Sequence, residues 1–293
     1  MSWKPVVVGV DDSPASGAAL ALAWSVARQA GTECRPVHVV RELPSVPADF
    51  DREDAQSKAA AAARDAVASA LTGAAPSEAL AQIEVRSGNT AFVLGAAVKE
   101  YGAELLVLGG KHHAAPARWF SSSTVHHAVR TIDVPLLVAT EHRGSLGRVI
   151  AAADLSDAAA PTLAAAGRFA ALLGAELRAL HVVEPFPPIP DVAVQLDEQE
   201  HISSAEREFG HVVDQALEGH AAEPVVRCGM PSRTICDEAE AWQADLIVVG
   251  SHGKGWVDRV LLGSTAERLL NRLPASVLVV PVGGARSGRD SVR

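Results

Sequence analysis

The chain of 293 residues is poor in aromatics: one tyrosine, five tryptophans and six phenylalanines make up 4% of it. Its core must therefore be aliphatic, drawn from the Ala, Val and Leu that dominate a 48% hydrophobic fraction. Cysteine is scarce as well. Cys34, Cys228 and Cys236 are odd in number and fit no zinc spacing, which excludes a disulfide framework. They read as small apolar side chains in a reducing compartment. Positive charge is in deficit: 26 Lys and Arg against 35 Asp and Glu give −9. No dense basic stripe offsets this, so nucleic acid and anionic membrane surfaces are poor partners. No uncharged apolar run approaches the roughly 20 residues of a membrane span, and the run after Met1 is too short for a secretory signal. A cytoplasmic, globular protein is expected.

What the sequence does have is an internal repeat. VVVGVDDSPAS near the start is answered by RVIAAADLSDAAA from Arg148. Asp11 precedes His38 by 27 residues, and Asp154 precedes His181 by the same 27. PVHVV at 36–40 matches ALHVV at 179–183, and the stretch 85–110 matches 226–251 at an offset of 141. The boundary falls in the polar, glycine-containing EHRGSLGR, 141–148. The expected organisation is a domain over 1–143, a second over 144–284, and a flexible tail over 285–293.

Each copy alternates short apolar runs with alanine-rich helical stretches. In the second copy the runs are RVIAAA, ELRALHVV, EPVVRC, DLIVVG and ASVLVV. Strands alternating with helices mean βαβ units, and runs apolar on both faces mean a sheet covered on both sides. The expected class is α/β: two tandem doubly wound, Rossmann-like domains, each a five-stranded parallel sheet of order 3-2-1-4-5 with helices on both faces. Ser13 before Pro14 reads as a helix start, and Gly31 and Gly174 as helix ends. Ser156 reads as a second cap. His38 and His181, at equivalent strand ends, read as structural. The segments 41–57 and 184–200, rich in proline and acid, read as mobile loops leading into long helices.

GSHGKGWVDRVLLGST, 250–265, follows an apolar strand and opens a helix. Ligands of open α/β sheets sit at the carboxyl ends of strands where the strand order reverses. In a 3-2-1-4-5 order that point lies between strands one and four, so Asp154 and Gly250 face one crevice. Glycines at Gly250, Gly253 and Gly263 let the backbone approach a ligand and reach φ values closed to other residues. Helix amides with the Ser264 and Thr265 hydroxyls suit an anion such as phosphate. The spacing is neither a P-loop nor a G-x-G-x-x-G. A tight turn with no ligand explains the same glycines.

G-x-x-G, nine residues, then G-S, here Gly250, Gly253, 254–262, Gly263 and Ser264, resembles the nucleotide-binding signature of universal stress proteins. An Asp after strand one, HVV at a strand end, GMP…I…A, ADLIVVGSHG and a final VLVV occur in order beside it. The resemblance covers both halves and points to a tandem universal stress protein. It implies ATP in the crevice. Gly250, Gly253, Gly263, Ser264 and Thr265 would hold ribose and phosphates, Asp154 the base-and-ribose side, and the Val182 backbone would read adenine. Mg²⁺ or Mn²⁺ would accompany the phosphates. It also implies dimer-like pairing through the fifth strand, between the two copies as an internal pseudo-dimer or between chains as a homodimer.

The first copy departs from the pattern. Gly109 and Thr124 keep their places with Ser123, but His112 stands for Gly253 and Ser122 for Gly263. A closed phosphate pocket is expected there, with Asp11 and Val39 keeping part of the base side. His112, His113, His126 and His127 lack any metal spacing, and no metal site is assigned. No nucleophile stands with a base, so no catalytic residue is assigned either. Three functions stay open: an ATP-dependent sensor or regulator in stress response, a slow ATPase or phosphotransferase, and a scaffold that binds no nucleotide.

Overall fold

The computed structural model of the chain describes residues 2–40, 52–110, 123–140, 146–185, 198–217, 219–253 and 262–282. In the first half the elements are β1 (Val6–Val10), α1 (Pro14–Ala30), β2 (Cys34–Val40), α2 (Arg52–Ala70), α3 (Ser77–Leu80), β3 (Glu84–Ser87), α4 (Thr90–Glu100), β4 (Leu105–Gly109), α5 (Ser123–Thr131) and β5 (Leu136–Ala139). The second half runs β6 (Arg148–Ala152), α6 (Ala159–Leu173), β7 (Glu176–Val183), α7 (Glu198–Leu217), β8 (Glu223–Cys228), α8 (Pro231–Ala241), β9 (Leu246–Gly250), α9 (Ser264–Arg272) and β10 (Ser276–Val280).

The strands are valine- and leucine-rich because both of their faces are covered. Val6, Val8 and Val10 of β1 enter one apolar layer with α1, and Val7 enters the other with α4 and α5. Val149 and Ala151 of β6 join the first layer, Ile150 and Ala152 the second. Each layer thus runs across both halves. That is the expectation for parallel strands sandwiched between helices.

The strands lie in the order β3-β2-β1-β4-β5-β10-β9-β6-β7-β8. Each half keeps the order 3-2-1-4-5 with parallel neighbours. The sheet does not stop at the half, however, so two separate sheets is not the arrangement. β5 and β10 pair antiparallel, with Val277 opposite Val138, Leu278 opposite Leu137 and Val279 opposite Leu136. All six side chains are buried. A second contact crosses the halves nearby. The Trp3 ring meets Phe169 edge-on at 5.2 Å, and the Arg168 guanidinium lies 4.4 Å from the Trp3 centroid while pairing with Glu104 at 3.2 Å.

Gly31 and Gly174 end α1 and α6 in the left-handed conformation, φ 64° and 63°, which glycine adopts without penalty. Ser13 is the N-cap of α1 with Pro14 next, but its hydroxyl donates to Asp11 at 2.5 Å instead of accepting from the helix. Ala158, not Ser156, is the N-cap residue of α6, but the Ser156 hydroxyl accepts the Ala158 N–H at 3.2 Å at the entry of the helix. α2 and α7 begin at Arg52 and Glu198, so the ends of the two expected loops are helical. Residues 41–51 and 186–197 of those loops, the linker 141–145 and the tail 285–293 lie outside the described residues.

Candidate functional site

β6 pairs with β7 on one side and β9 on the other, so its carboxyl end is where the strand order reverses. Asp154 follows that end. Its Oδ1 accepts the Ser156 backbone N–H at 3.1 Å and the Ser156 hydroxyl as well. Asp11 in the first half is held the same way, by the Ser13 N–H at 3.0 Å and the hydroxyls of Ser13 and Ser16. The two histidines are structural. Nδ1 of His181 lies 3.0 Å from the Ala153 carbonyl, and Nδ1 of His38 lies 2.8 Å from the Val10 carbonyl. Each imidazole ties the end of its half's second strand to the end of the first. His181 also stacks at a tilt on Phe209, 5.3 Å between centroids.

The glycine turn is built on β9 and β10. The Ser251 N–H donates to the Val280 carbonyl at 2.8 Å, and the Ser251 hydroxyl accepts the Val282 N–H at 3.0 Å. The Gly263 N–H then donates to the Ser251 carbonyl at 2.8 Å, which fixes the start of α9 against the end of β9. Gly263 is the N-cap of α9 with φ −59° and ψ 141°. Neither it nor Gly250 nor Gly253 has a positive φ. The expectation of forbidden backbone angles is therefore wrong, and space is the reason for the glycines. A Cβ on Gly250 would stand 3.1 Å from Thr162 Oγ1 and from the His252 carbonyl. One on Gly263 would stand 3.2 Å from the Ser251 carbonyl, and one on Gly253 would stand 2.5 Å from Asp154 Oδ2.

All seven residues singled out from the sequence, Asp154, Val182, Gly250, Gly253, Gly263, Ser264 and Thr265, line one cavity of about 550 Å³. At one end stands the first turn of α9, whose amides have no acceptor within the helix. His252 borders it too. Its Nδ1 lies 3.0 Å from the Ser251 hydroxyl, and its Nε2 is buried without a partner among the described residues. The other end is formed by Val182, Val183 and Glu184 of the β7 terminus and by His201, Ser204 and Glu208 of α7. The α7 residues were missed. Their spacing marks one stripe of a helix, beside the buried stripe of Ala205, Phe209 and Val213, and Ala205 lines the cavity with them. Pro231 and Ile235 of α8 close a third side.

The equivalent crevice of the first half holds about 220 Å³. Asp11, Val39, Gly109 and Thr124 line it at positions matching Asp154, Val182, Gly250 and Thr265. His112, His113 and Ser122 lie outside the described residues. No group of three potential metal-ligating side chains occurs among the described residues.

A doubly wound sheet with a lined crevice at its switch point defines a Rossmann-like ligand-binding architecture. Comparison with known proteins then gives the family. The model of the universal stress protein family matches residues 2–140 and again 146–281. The chain belongs to the universal stress protein family, with two such domains. A universal stress protein of Mycolicibacterium smegmatis is 28% identical over 94% of this chain and 96% of its own length. One of Synechocystis sp. is 38% identical over 36% of this chain and 67% of its own. The crystal structure of a universal stress protein from Archaeoglobus fulgidus superposes with a TM-score of 0.66, covering 95% of this chain and 98% of that one at 23% identity. That similarity concerns the fold. No helix among the described residues is long and apolar enough to cross a membrane.

Proposed function

We propose that the chain is a nucleotide-dependent regulator of a stress response and that its second half binds ATP. Residues 1–143 and 144–284 are its two domains in this reading. The observation that carries it is the single 550 Å³ cavity on which Asp154, Val182, the three glycines, Ser264 and Thr265 converge. The cavity is chemically two-ended. The first-turn amides of α9, with the Ser264 and Thr265 hydroxyls, suit a polyphosphate. The Val182 and Val183 backbone, under the side chains of α7, suits a flat polar base. The buried, unpartnered Nε2 of His252 supplies a hydrogen-bonding atom that a ligand would satisfy. Mg²⁺ or Mn²⁺ enters as the companion of the phosphates.

The antiparallel β5–β10 seam supports reading the chain as an internal pseudo-dimer. The outer edges of the sheet are β3 and β8, and a homodimer of whole chains is the further association this reading allows. The test is direct. The purified full chain is denatured and the released small molecules are identified by chromatography and mass spectrometry. The stripped protein is then titrated with Mg-ATP by calorimetry. Released ATP and a saturable heat are expected. An empty supernatant together with a flat titration would overturn the reading. Phosphate release from the same sample separates a binding regulator from a slow ATPase.

A further inference from the structure

α9 belongs to both cavities. Its first turn, Gly263 to Ala266, lines the second-half cavity. Leu270 and the capping Leu273 line the first-half cavity. Nine helical residues span about 13 Å. One short rigid element therefore has an end in each compartment. Among the described residues none of α5 lines the second-half cavity.

Leu273 is held firmly. Its φ of 46° and ψ of 61° put it in the left-handed region, which leucine rarely enters, and its N–H donates to the Leu269 carbonyl at 2.7 Å. Its side chain is 2% exposed. The seat that receives it is Gly110 of the other half. A Cβ on Gly110 would stand 2.5 Å from Leu273 Cδ1 and 2.7 Å from Val138 Cγ1. The matching position of the second half carries Ser251, whose hydroxyl is engaged by Val282. The seat is thus particular to the first half.

We propose that Leu273 is a positioning residue for the second-half site: the first half, through Gly110, sets where α9 presents its first turn, and the two cavities are coupled through that helix. A ligand on the first turn draws on the amides of α9, and any displacement of a helix this short reaches Leu273. A change at the Gly110 seat travels the other way by linkage. The choice of ATP as probe rests on the nucleotide reading; the mechanical link does not.

Gly110→Ala tests it, with Gly9→Ala as control. Gly9 lines the same first-half cavity, and the atoms nearest its Cβ would be those of Leu108 and Leu94, not of α9. Calorimetric titration with Mg-ATP is expected to show an affinity changed about fivefold in the Gly110 variant and unchanged in the control. A merely structural role would move both variants alike. Methyl and amide NMR of the full chain adds a nucleotide-free measurement: Leu273→Ala should shift the Thr265 and Ala266 signals at the far end of α9. If ATP binds, the Gly110 variant keeps wild-type affinity and Thr265 and Ala266 do not move, the coupling is wrong and the nucleotide reading stands. If ATP fails to bind the wild type while Leu273→Ala still shifts Thr265 and Ala266, the nucleotide reading falls and the coupling stands.

Discussion

Gly253 and Asp154 lie nearly a hundred residues apart in sequence, yet a Cβ on the glycine would stand 2.5 Å from the aspartate's Oδ2. Ser156 holds the other oxygen, so the carboxylate stands between the serine and the glycine. The glycine thus fixes where a carboxylate stands in the cavity. That role differs from close approach to a phosphate, and it is testable separately. Gly253→Ala should turn Asp154 out of place and weaken Mg-ATP binding by about tenfold, or ~1.4 kcal/mol. The melting temperature should hardly change, since the turn is at the surface of the cavity and not in either apolar layer. Calorimetry with a parallel thermal melt checks this. An affinity equal to wild type would show that Asp154 needs no such positioning.

Gly263 separates two ideas about glycine. With φ −59° it sits where any L-residue can sit. Gly263→Ala should therefore fold normally, with the Cβ pressed 3.2 Å from the Ser251 carbonyl. Gly263→Val adds two methyls beside the first turn of α9 and should abolish ATP binding with the fold retained. Circular dichroism and titration of both variants decide. An alanine variant that fails to fold would restore the backbone-angle explanation.

Much of this was legible in the sequence, for identifiable reasons. The strands of each half are short apolar runs bounded by polar residues, so β6 through β10 could be placed from RVIAAA, ELRALHVV, EPVVRC, DLIVVG and ASVLVV. The site was legible because a side chain would be crowded at Gly250, Gly253 and Gly263, most of all at Gly253. Their dihedrals were not, because glycine permits positive φ without requiring it. Ser156 was legible in part: its hydroxyl donates to the preceding Asp154 carboxylate while accepting the Ala158 N–H just ahead of α6. The α7 wall was overlooked because polar residues on an amphipathic helix read as a solvated face until the cavity beneath them is seen. Leu273 and Gly110 meet only through the β5–β10 seam. No local pattern in either half points to the other.

Burial pushes the Cys34 thiol up to about 12 from an ordinary 9.0. The folded chain keeps the proton that the unfolded chain gives up at alkaline pH. The corresponding stability is complete below pH 9 and is lost as pH rises toward 12, by up to about 1.4 kcal/mol per pH unit. Denaturation midpoints measured across that window should fall less steeply in Cys34→Ala than in wild type. Equal slopes would mean that Cys34 ionises in the fold as freely as outside it. In the native state a thiol reagent should find the exposed Cys228 first, with buried Cys34 and Cys236 reacting only on unfolding.

Val279 is 2% exposed and faces Leu136 across the antiparallel seam. Val279→Lys places an ammonium where both sheet faces are covered, and no described carboxylate stands on β5 to meet it. A loss of about 3–5 kcal/mol is expected from the buried, unpaired charge. Because both apolar layers run through this seam, the two halves should separate as they destabilise. Urea denaturation followed by tryptophan fluorescence should change from one transition to two. Val279→Leu, which keeps the surface apolar, should retain one. A lysine variant as stable as wild type would show that the seam contributes little to holding the halves together.

The two crevices make the last prediction quantitative. They share the switch point, the aspartate held by a serine two residues on, and the histidine that ties the strand ends. They differ in size, about 550 Å³ against 220 Å³. The second has the glycine turn and a wall from α7. At the first, Leu270 and Leu273 of the other half line the crevice, and His112 and Ser122 replace two glycines in the sequence. A polyphosphate that fits the larger crevice lacks the room in the smaller one, where the sequence also lacks two of the three glycines. Titration under saturating Mg-ATP should therefore give one nucleotide per chain, and Asp154→Ala should lower that value toward zero while Asp11→Ala leaves it at one. A value near two, falling to one when Asp11 is replaced, would mean that Lys111, His112 and the run Ser121 to Thr124 rebuild a phosphate site from side chains. In that case the loss of glycine at His112 and Ser122 would be a change of mechanism and not a loss of function.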